Sequence, residues 1–149
     1  MKRLCCASVL LCMCAAALAL GGDAKDGKDD AKKVVGTWKT VLAEVGGKPL
    51  PDDFLKTTTL VLTDGNYKVT TGGKTDEGTW KIDPSKKPRA LDITGGKGPN
   101  QGKTILAIYE LKGDTLRVCY DLSGKERPTE FKTKAGAPLF LAEYKREKP

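Results

Sequence analysis

Short runs of alternating hydrophobic and polar residues recur from Val34 onward, and Gly, Pro, Asn or Asp separates them every ten residues or so. Alternation with a period of two is typical of β-strands that expose one face to a core. PDDFLKT (51–57) predicts a single helical turn. The predicted strands are GTWKTVLAEV (36–45), TTLVLT (58–63), NYKVTT (66–71), EGTWKID (77–83), RALDIT (89–94), KTILAIYEL (103–111), TLRVCYD (115–121), TEFKTK (129–134) and PLFLAEYKR (138–146).

These runs predict an all-β fold, an antiparallel up-and-down meander of eight or nine strands. Closing the sheet into a barrel removes its exposed edges, so a barrel is our first choice and a β-sandwich the second. KTILAIYEL is apolar on both faces, which indicates a strand covered on both sides. Arg117 and Cys119 are predicted to face outward. The aromatic residues predicted to line the interior are Trp38, Tyr67, Trp80, Tyr120, Phe131 and Phe140.

The N-terminus predicts an export signal. Residues 1–22 combine Lys2 and Arg3 with an apolar run and small residues near its end, which is the layout of a secretory signal peptide. DAKDGKDDAKK (23–33) balances four Asp with four Lys and predicts a flexible charged leader, so residues 34–148 form the single folded domain. We expect a periplasmic or extracellular protein without a stable membrane span after cleavage. A lipid anchor is disfavoured, because no small residue directly precedes Cys12 or Cys14.

Composition after cleavage argues against several kinds of chemistry. Cys119 is then the only cysteine, so no internal disulfide can form, and packing is the favoured role for its thiol. The mature chain has 24 basic and 19 acidic residues, a net charge of +5, and the charges are interspersed, which argues against nucleic-acid binding. The absence of histidine removes the usual general base and metal ligand. We therefore expect no cofactor, no metal and no enzyme activity.

The glycine-rich stretch GGKGPNQGKT (95–104) ends like a phosphate-binding P-loop. The motif requires glycine five positions before Gly102, where this chain has Lys97, and it requires a helix after Thr104, where the pattern predicts a strand. We interpret the stretch as a long, mobile and basic hairpin loop with its tip at Gly98-Pro99-Asn100.

The tripeptide Gly36-Thr37-Trp38 opens the first strand and recurs as Gly78-Thr79-Trp80. Gly-x-Trp in this position resembles the opening signature of lipocalins and other calycins. The resemblance implies a barrel whose closed end is packed by Trp38, with a basic residue of the last strand across the indole. Arg146 is the first candidate for that residue and Arg117 the second.

A wider resemblance covers nearly all of residues 34–148. GTWKTVLAEVGGKPLP, KGPNQGKTILAIYEL, KGDTLRVCYD and GKERPTEF together are similar to a family of exported lipocalin-like domains, abundant in planctomycete bacteria and functionally uncharacterised. The resemblance implies no catalytic or binding residues.

Three functions remain open from the sequence. The first is an exported binding module for a small apolar or amphipathic ligand. The second is a structural or protein-interaction domain of the cell envelope with a filled core, and the third is an enzyme that uses carboxylates. The candidate carboxylates are Glu44, Asp76, Glu77, Asp92, Glu110 and Glu130.

Overall fold

The structure is a computed structural model that describes residues 23–149, so the predicted signal peptide, 1–22, lies outside the described residues. Two helices and nine strands are found within this range. The helices are α1 (Asp23–Val34) and α2 (Asp52–Thr57). The strands are β1 (Gly36–Val45), β2 (Lys48–Pro49), β3 (Thr58–Leu62), β4 (Asn66–Thr71), β5 (Lys74–Asp83), β6 (Arg89–Lys97), β7 (Thr104–Lys112), β8 (Thr115–Asp121) and β9 (Leu139–Arg146).

Eight of these strands close into a barrel. Each strand from β3 to β9 pairs antiparallel with its neighbour in sequence, β3 also pairs with β1, and β1 pairs with β9 from Trp38↔Arg146 to Val45↔Phe140. The two-residue strand β2 pairs only with β1 and stands outside the ring. The up-and-down barrel predicted from the sequence is confirmed, in preference to a sandwich.

The two ends of the barrel differ. At the closed end lie Trp38, the β3–β4 turn and α1. At the other end, called the mouth below, lie α2, the β4–β5 turn and the connections 98–103 and 122–138. Between them, alternate side chains point inward and form the core, in which Trp38, Ala107 and Ala142 are fully buried. None of the helices in residues 23–149 is long and apolar enough to cross a membrane.

The segment predicted as a flexible leader, 23–33, forms most of helix α1. Its C-terminal turn packs Ala31 and Val34 against the barrel core, and the Asp30 carboxylate accepts hydrogen bonds from Arg89 and from the Tyr109 hydroxyl. The segment has no large apolar residue before Val34, so the sequence pattern shows little reason for order. Its contacts with the barrel supply that reason for the C-terminal turn, and the flexibility expected of the leader as a whole stays a prediction.

The segment 129–134, predicted as a strand, lies instead in the irregular connection 122–138. Phe131 is therefore not in the interior. It packs on the outer face of the barrel against a small cluster formed by Ile108, Cys119 and Leu141. This cover explains why β7 is apolar on both faces.

The glycine-rich stretch is also more ordered than predicted. Strand β6 continues through Lys97, which shortens the connection to residues 98–103. Asn100 ties this connection to β5, since its backbone N–H and its side-chain amide both donate to the Asp76 carboxylate. The longest connection of the barrel is 122–138, not this loop.

Candidate functional site

The closed end is sealed by Trp38 and Arg146. The Arg146 guanidinium lies 4.2 Å from the centre of the Trp38 ring, the contact that the lipocalin resemblance implied for these two residues. The same guanidinium donates hydrogen bonds to the carbonyl oxygens of Val35 and Lys33, and the indole N–H donates to Val34. These bonds fix the chain entering the barrel across its closed end. Arg117, the second candidate, instead lies over Phe131 on the outer face, 5.3 Å from the ring centre.

The second Gly-Thr-Trp copy packs in a related way. The Trp80 indole N–H donates to the carbonyl oxygens of Thr63 and Asn66 and so holds the β3–β4 turn. Gly78 leaves room for the backbone of β6 and for the Tyr67 ring, because a Cβ there would overlap the Thr94 carbonyl oxygen and would lie 2.8 Å from Tyr67 Cε1. Gly36 has a matching role for Arg146, whose Nη1 would be 2.7 Å from an added Cβ. Both glycines therefore permit a close side-chain approach.

A cavity of about 230 Å³ occupies the interior of the barrel below the mouth. Its floor and walls are inward-facing residues of seven strands, β3 to β9, and α2 and two connections reach over it. The lining comprises Phe54, Thr58, Leu60, Tyr67, Val69, Thr71, Asp76, Ile93, Asn100, Ile105, Tyr120, Leu122, Phe140 and Tyr144. Of the six aromatic residues predicted to line the interior, Tyr67, Tyr120 and Phe140 meet here.

Aromatic rings form one side of the cavity. Phe140 stacks on Tyr120 with a centroid separation of 5.6 Å, and Phe54 of α2 meets Phe140 edge to face at 6.4 Å. Such pairs hold their rings in defined orientations. The cavity therefore has a preformed aromatic wall.

The opposite side carries a polar cluster centred on Asp76. One oxygen, Oδ2, accepts hydrogen bonds from the Tyr67 hydroxyl at 3.0 Å and from Asn100 Nδ2 at 2.7 Å. The other oxygen, Oδ1, accepts from the Asn100 backbone N–H at 3.1 Å. Burial, followed by the hydrogen bond and the charge of Asp76, raises the pKa of Tyr67 well above its ordinary value. Tyr67 is therefore a neutral donor in the physiological pH range.

Two further tyrosines share a hydrogen bond across the cavity wall, with 3.2 Å between the hydroxyl oxygens of Tyr120 and Tyr144. Burial raises the pKa of Tyr144 to about 12 and that of Tyr120 well above its ordinary value. The Thr58 and Thr71 hydroxyls pair in the same way at 3.1 Å. Among the described side chains, no buried nitrogen or oxygen lacks a hydrogen-bond partner.

Two larger depressions lie on the outer surface. One, of about 680 Å³, runs along residues 121–139, and the other, of about 460 Å³, crosses β3 to β6. Both are broad, open grooves among charged side chains, whereas the mouth cavity is partly enclosed and extends into the apolar core. Enclosed and mostly apolar cavities are the usual setting for small ligands, so the mouth cavity is the better candidate site.

Most of the candidate carboxylates lie away from the cavity. Glu77, Asp92 and Glu110 form ion pairs with Lys68, Arg127 and Lys112. Glu44 accepts a hydrogen bond from Thr133, and Glu130 lies exposed in the connection 122–138. Asp76 is the one candidate that the structure brings into the cavity. Within residues 23–149, no group of three or more potential ligand side chains is arranged to hold a metal ion.

Cys119 lies in the outer-face cluster and is fully buried. Burial raises the pKa of its thiol, and the nearest hydrogen-bond acceptor is the carbonyl oxygen of Lys132 at 3.7 Å. A buried, protonated thiol of this kind behaves as an apolar packing group.

Sequence reasoning did not place Phe54 and Asn100 in the site, and it named Asp76 only as a candidate catalytic carboxylate, not as part of the cavity lining. A signal existed for Asp76, because the alternation that points Trp80 and Gly78 inward continues backward to position 76. Phe54 is the apolar residue of the predicted helical turn, and Asn100 was assigned to a loop tip. These three residues come together because α2 and the connection 98–103 fold over the mouth, and no local sequence pattern predicts that arrangement.

No family model matches the chain, and neither do curated proteins or solved structures. The geometry alone defines the class of protein: a closed, eight-stranded, antiparallel up-and-down β-barrel consistent with a lipocalin-like fold.

Proposed function

We propose that the protein is a small binding module whose mouth cavity holds one small amphipathic ligand. The observation that supports this proposal is the partly enclosed cavity, with aromatic rings on one side and the Asp76 cluster on the other. Barrels of eight strands are near the size at which an interior is either filled by side chains or accommodates one small ligand. This interior is packed solid at the closed end and open below the mouth.

The volume limits the size of the ligand. A protein cavity of roughly 150 Å³ lined by Leu, Ile and Phe accommodates benzene, so 230 Å³ suits a single ring with a short substituent or a chain of similar size. Larger lipids would have to extend out of the mouth. The exposed side chain of Leu122 at the mouth offers them little apolar cover.

We also propose that the barrel works outside the cytoplasm and belongs to the exported domain family that its sequence resembles. The support is the signal-like pattern of residues 1–22 and the four motifs that occur in order along the domain. A protein that works outside the cytoplasm could bind a small ligand there as a passive carrier or as a sensor.

The test uses benzyl alcohol, a neutral probe of suitable size, and ligand-observed NMR on the purified mature chain. We expect a dissociation constant of about 0.1–1 mM, typical of a ligand with so few atoms. Val69→Phe should abolish binding, because Val69 faces the cavity and the added ring fills it. Val61→Phe is the matched control, since Val61 lies on the outer face of β3 and its replacement should leave binding intact.

Near-ultraviolet circular dichroism establishes that both variants retain the fold. Native mass spectrometry of the protein from its own host provides a second measurement, independent of variants, in which a co-purifying molecule is expected. If the probe does not bind and only bare polypeptide is recovered, the cavity has no ligand role. The filled-core interaction domain would then be the better interpretation, with the exposed Val41 and Leu42 of β1 as its contact residues.

A further inference from the structure

The charge of the cavity is opposite to that of the protein. The chain carries 26 basic and 19 acidic residues. Of the described side chains that line the cavity, however, Asp76 alone is charged. None of the ion pairs among the described side chains involves Asp76. A net-positive protein has therefore placed a half-buried carboxylate, with no ion-pair partner among the described side chains, in the lining of its cavity.

This placement is costly unless the carboxylate has partners. A half-buried carboxylate such as Asp76 loses part of its hydration, and hydrogen bonds or a counter-charge offset that loss. Asp76 has three hydrogen bonds, two to Oδ2 and one to Oδ1. A carboxylate offers about four acceptor positions, so Oδ1 retains a vacant one. Among the described side chains, Asp76 therefore has hydrogen-bond donors as partners but no cationic group.

The cavity walls suit a cation in a second respect. The negative faces of aromatic rings attract ammonium groups, and the Tyr67 ring, whose hydroxyl donates to Asp76, lies next to the carboxylate in the same cavity. An anionic ligand would meet Asp76 without any compensating lysine or arginine in the lining. The arrangement discriminates between ligands by charge.

From these observations we propose that the ligand of the mouth cavity is a small organic amine, bound as its ammonium ion. The ammonium group donates a hydrogen bond to Asp76 Oδ1, and its apolar part lies among Phe54, Tyr120 and Phe140. This inference rests on the proposed function, because it requires the cavity to bind a ligand at all. It adds the chemical class of that ligand.

Three probes of similar size test the charge preference: benzylamine, benzyl alcohol and benzoate. At neutral pH we expect benzylamine to bind about tenfold more tightly than benzyl alcohol, the ratio that one charged hydrogen bond contributes. Benzoate should bind more weakly than the alcohol. Affinities are measured by isothermal titration calorimetry at low salt, with ligand-observed NMR for the weaker probes.

The variant Asp76→Asn keeps the shape and an acceptor for Asn100 but removes the charge. It should reduce the ratio of amine to alcohol affinity to about twofold or less, while the affinity for benzyl alcohol changes little. Glu130→Gln is the matched control, because it removes one negative charge from an exposed position outside the cavity and should leave the ratio unchanged.

The outcomes separate the two proposals. If no probe binds, the proposed function fails. If amine and alcohol bind wild-type protein equally, the cavity binds ligands but the inference about amines is overturned. The same holds if Asp76→Asn preserves the ratio. A purely structural role for Asp76 would lower stability in Asp76→Asn without changing the preference between probes.

Discussion

Arg146 makes the densest set of contacts of any single residue at the closed end. Its guanidinium lies over the Trp38 ring, donates to two backbone carbonyls and pairs with Asp114 at 3.3 Å. We expect Arg146→Ala to lower the free energy of unfolding by about 2–3 kcal/mol, since it loses a cation–π contact and two hydrogen bonds. Urea unfolding monitored by tryptophan fluorescence measures this.

Two comparisons establish that the effect arises from the guanidinium. Arg146→Lys should recover less than half of the loss, because an ammonium cannot donate to both carbonyls from a flat position over the ring. Lys145→Ala, at the exposed neighbouring position, should change stability by less than about 0.5 kcal/mol. Equal effects of Arg146→Ala and Lys145→Ala would show that the Trp38 contact does not stabilise the barrel.

Among the elements, helix α1 is attached to the barrel partly through Asp30, in addition to the bonds that Trp38 and Arg146 donate to its last carbonyl oxygens. Asp30 is buried and accepts from Arg89 Nη1 at 2.6 Å and from the Tyr109 hydroxyl at 2.9 Å. We expect Asp30→Asn to lower the free energy of unfolding by about 1–2 kcal/mol. A fully buried ion pair would contribute more, but the Arg89 side chain is more than a third exposed and water screens its charge. Hydrogen exchange should show faster exchange of the α1 amides.

Asp29→Asn is the matched control for this variant, since the neighbouring Asp29 is exposed on the same helix. It should leave both the stability and the α1 exchange rates unchanged. If Asp30→Asn behaves like Asp29→Asn, α1 does not seal the closed end through this contact.

The elements also show where the sequence was informative. β1 was predicted with its observed limits, because its alternation and its flanking glycines are local signals. Helix α1 was missed since its apolar contacts begin only at Ala31, and Asp30 gains its partners from β6 and β7, far along the chain. Phe131 was assigned to the wrong face because alternation alone cannot distinguish a strand from a segment that lies across one.

For the whole molecule, closure of the barrel was predictable and the cavity was not. Eight alternating runs with short connections leave few other ways to cover the edges of the sheet. The cavity depends on small differences in side-chain volume between the closed end and the mouth, and on α2 and the connection 98–103. The polar cluster on Asp76 arises from long-range contacts that a single sequence does not display.

The burial of all four tyrosines predicts alkaline unfolding. Tyr67, Tyr109, Tyr120 and Tyr144 are each less than a tenth exposed. Burial is the largest cause that raises the pKa of each above the ordinary value of 10.0, to about 12 for Tyr144. Above pH 10 the unfolded chain releases tyrosine protons that the folded protein retains. Stability is therefore fully present below about pH 10 and is lost as the pH rises toward 12 and beyond.

Each tyrosine proton that the folded protein retains and the unfolded chain releases makes the free energy of unfolding fall more steeply, by about 1.4 kcal/mol per pH unit. We thus expect tyrosinate absorbance to rise together with the loss of near-ultraviolet circular dichroism, in one cooperative transition above pH 10. Tyr144→Phe removes one of the protons, so the dependence of unfolding free energy on pH in this range should become shallower by about that amount. Tyrosinate absorbance that titrates near pH 10 while the circular dichroism stays native would contradict the burial of these side chains, and with it the closed barrel interior on which the ligand proposal depends.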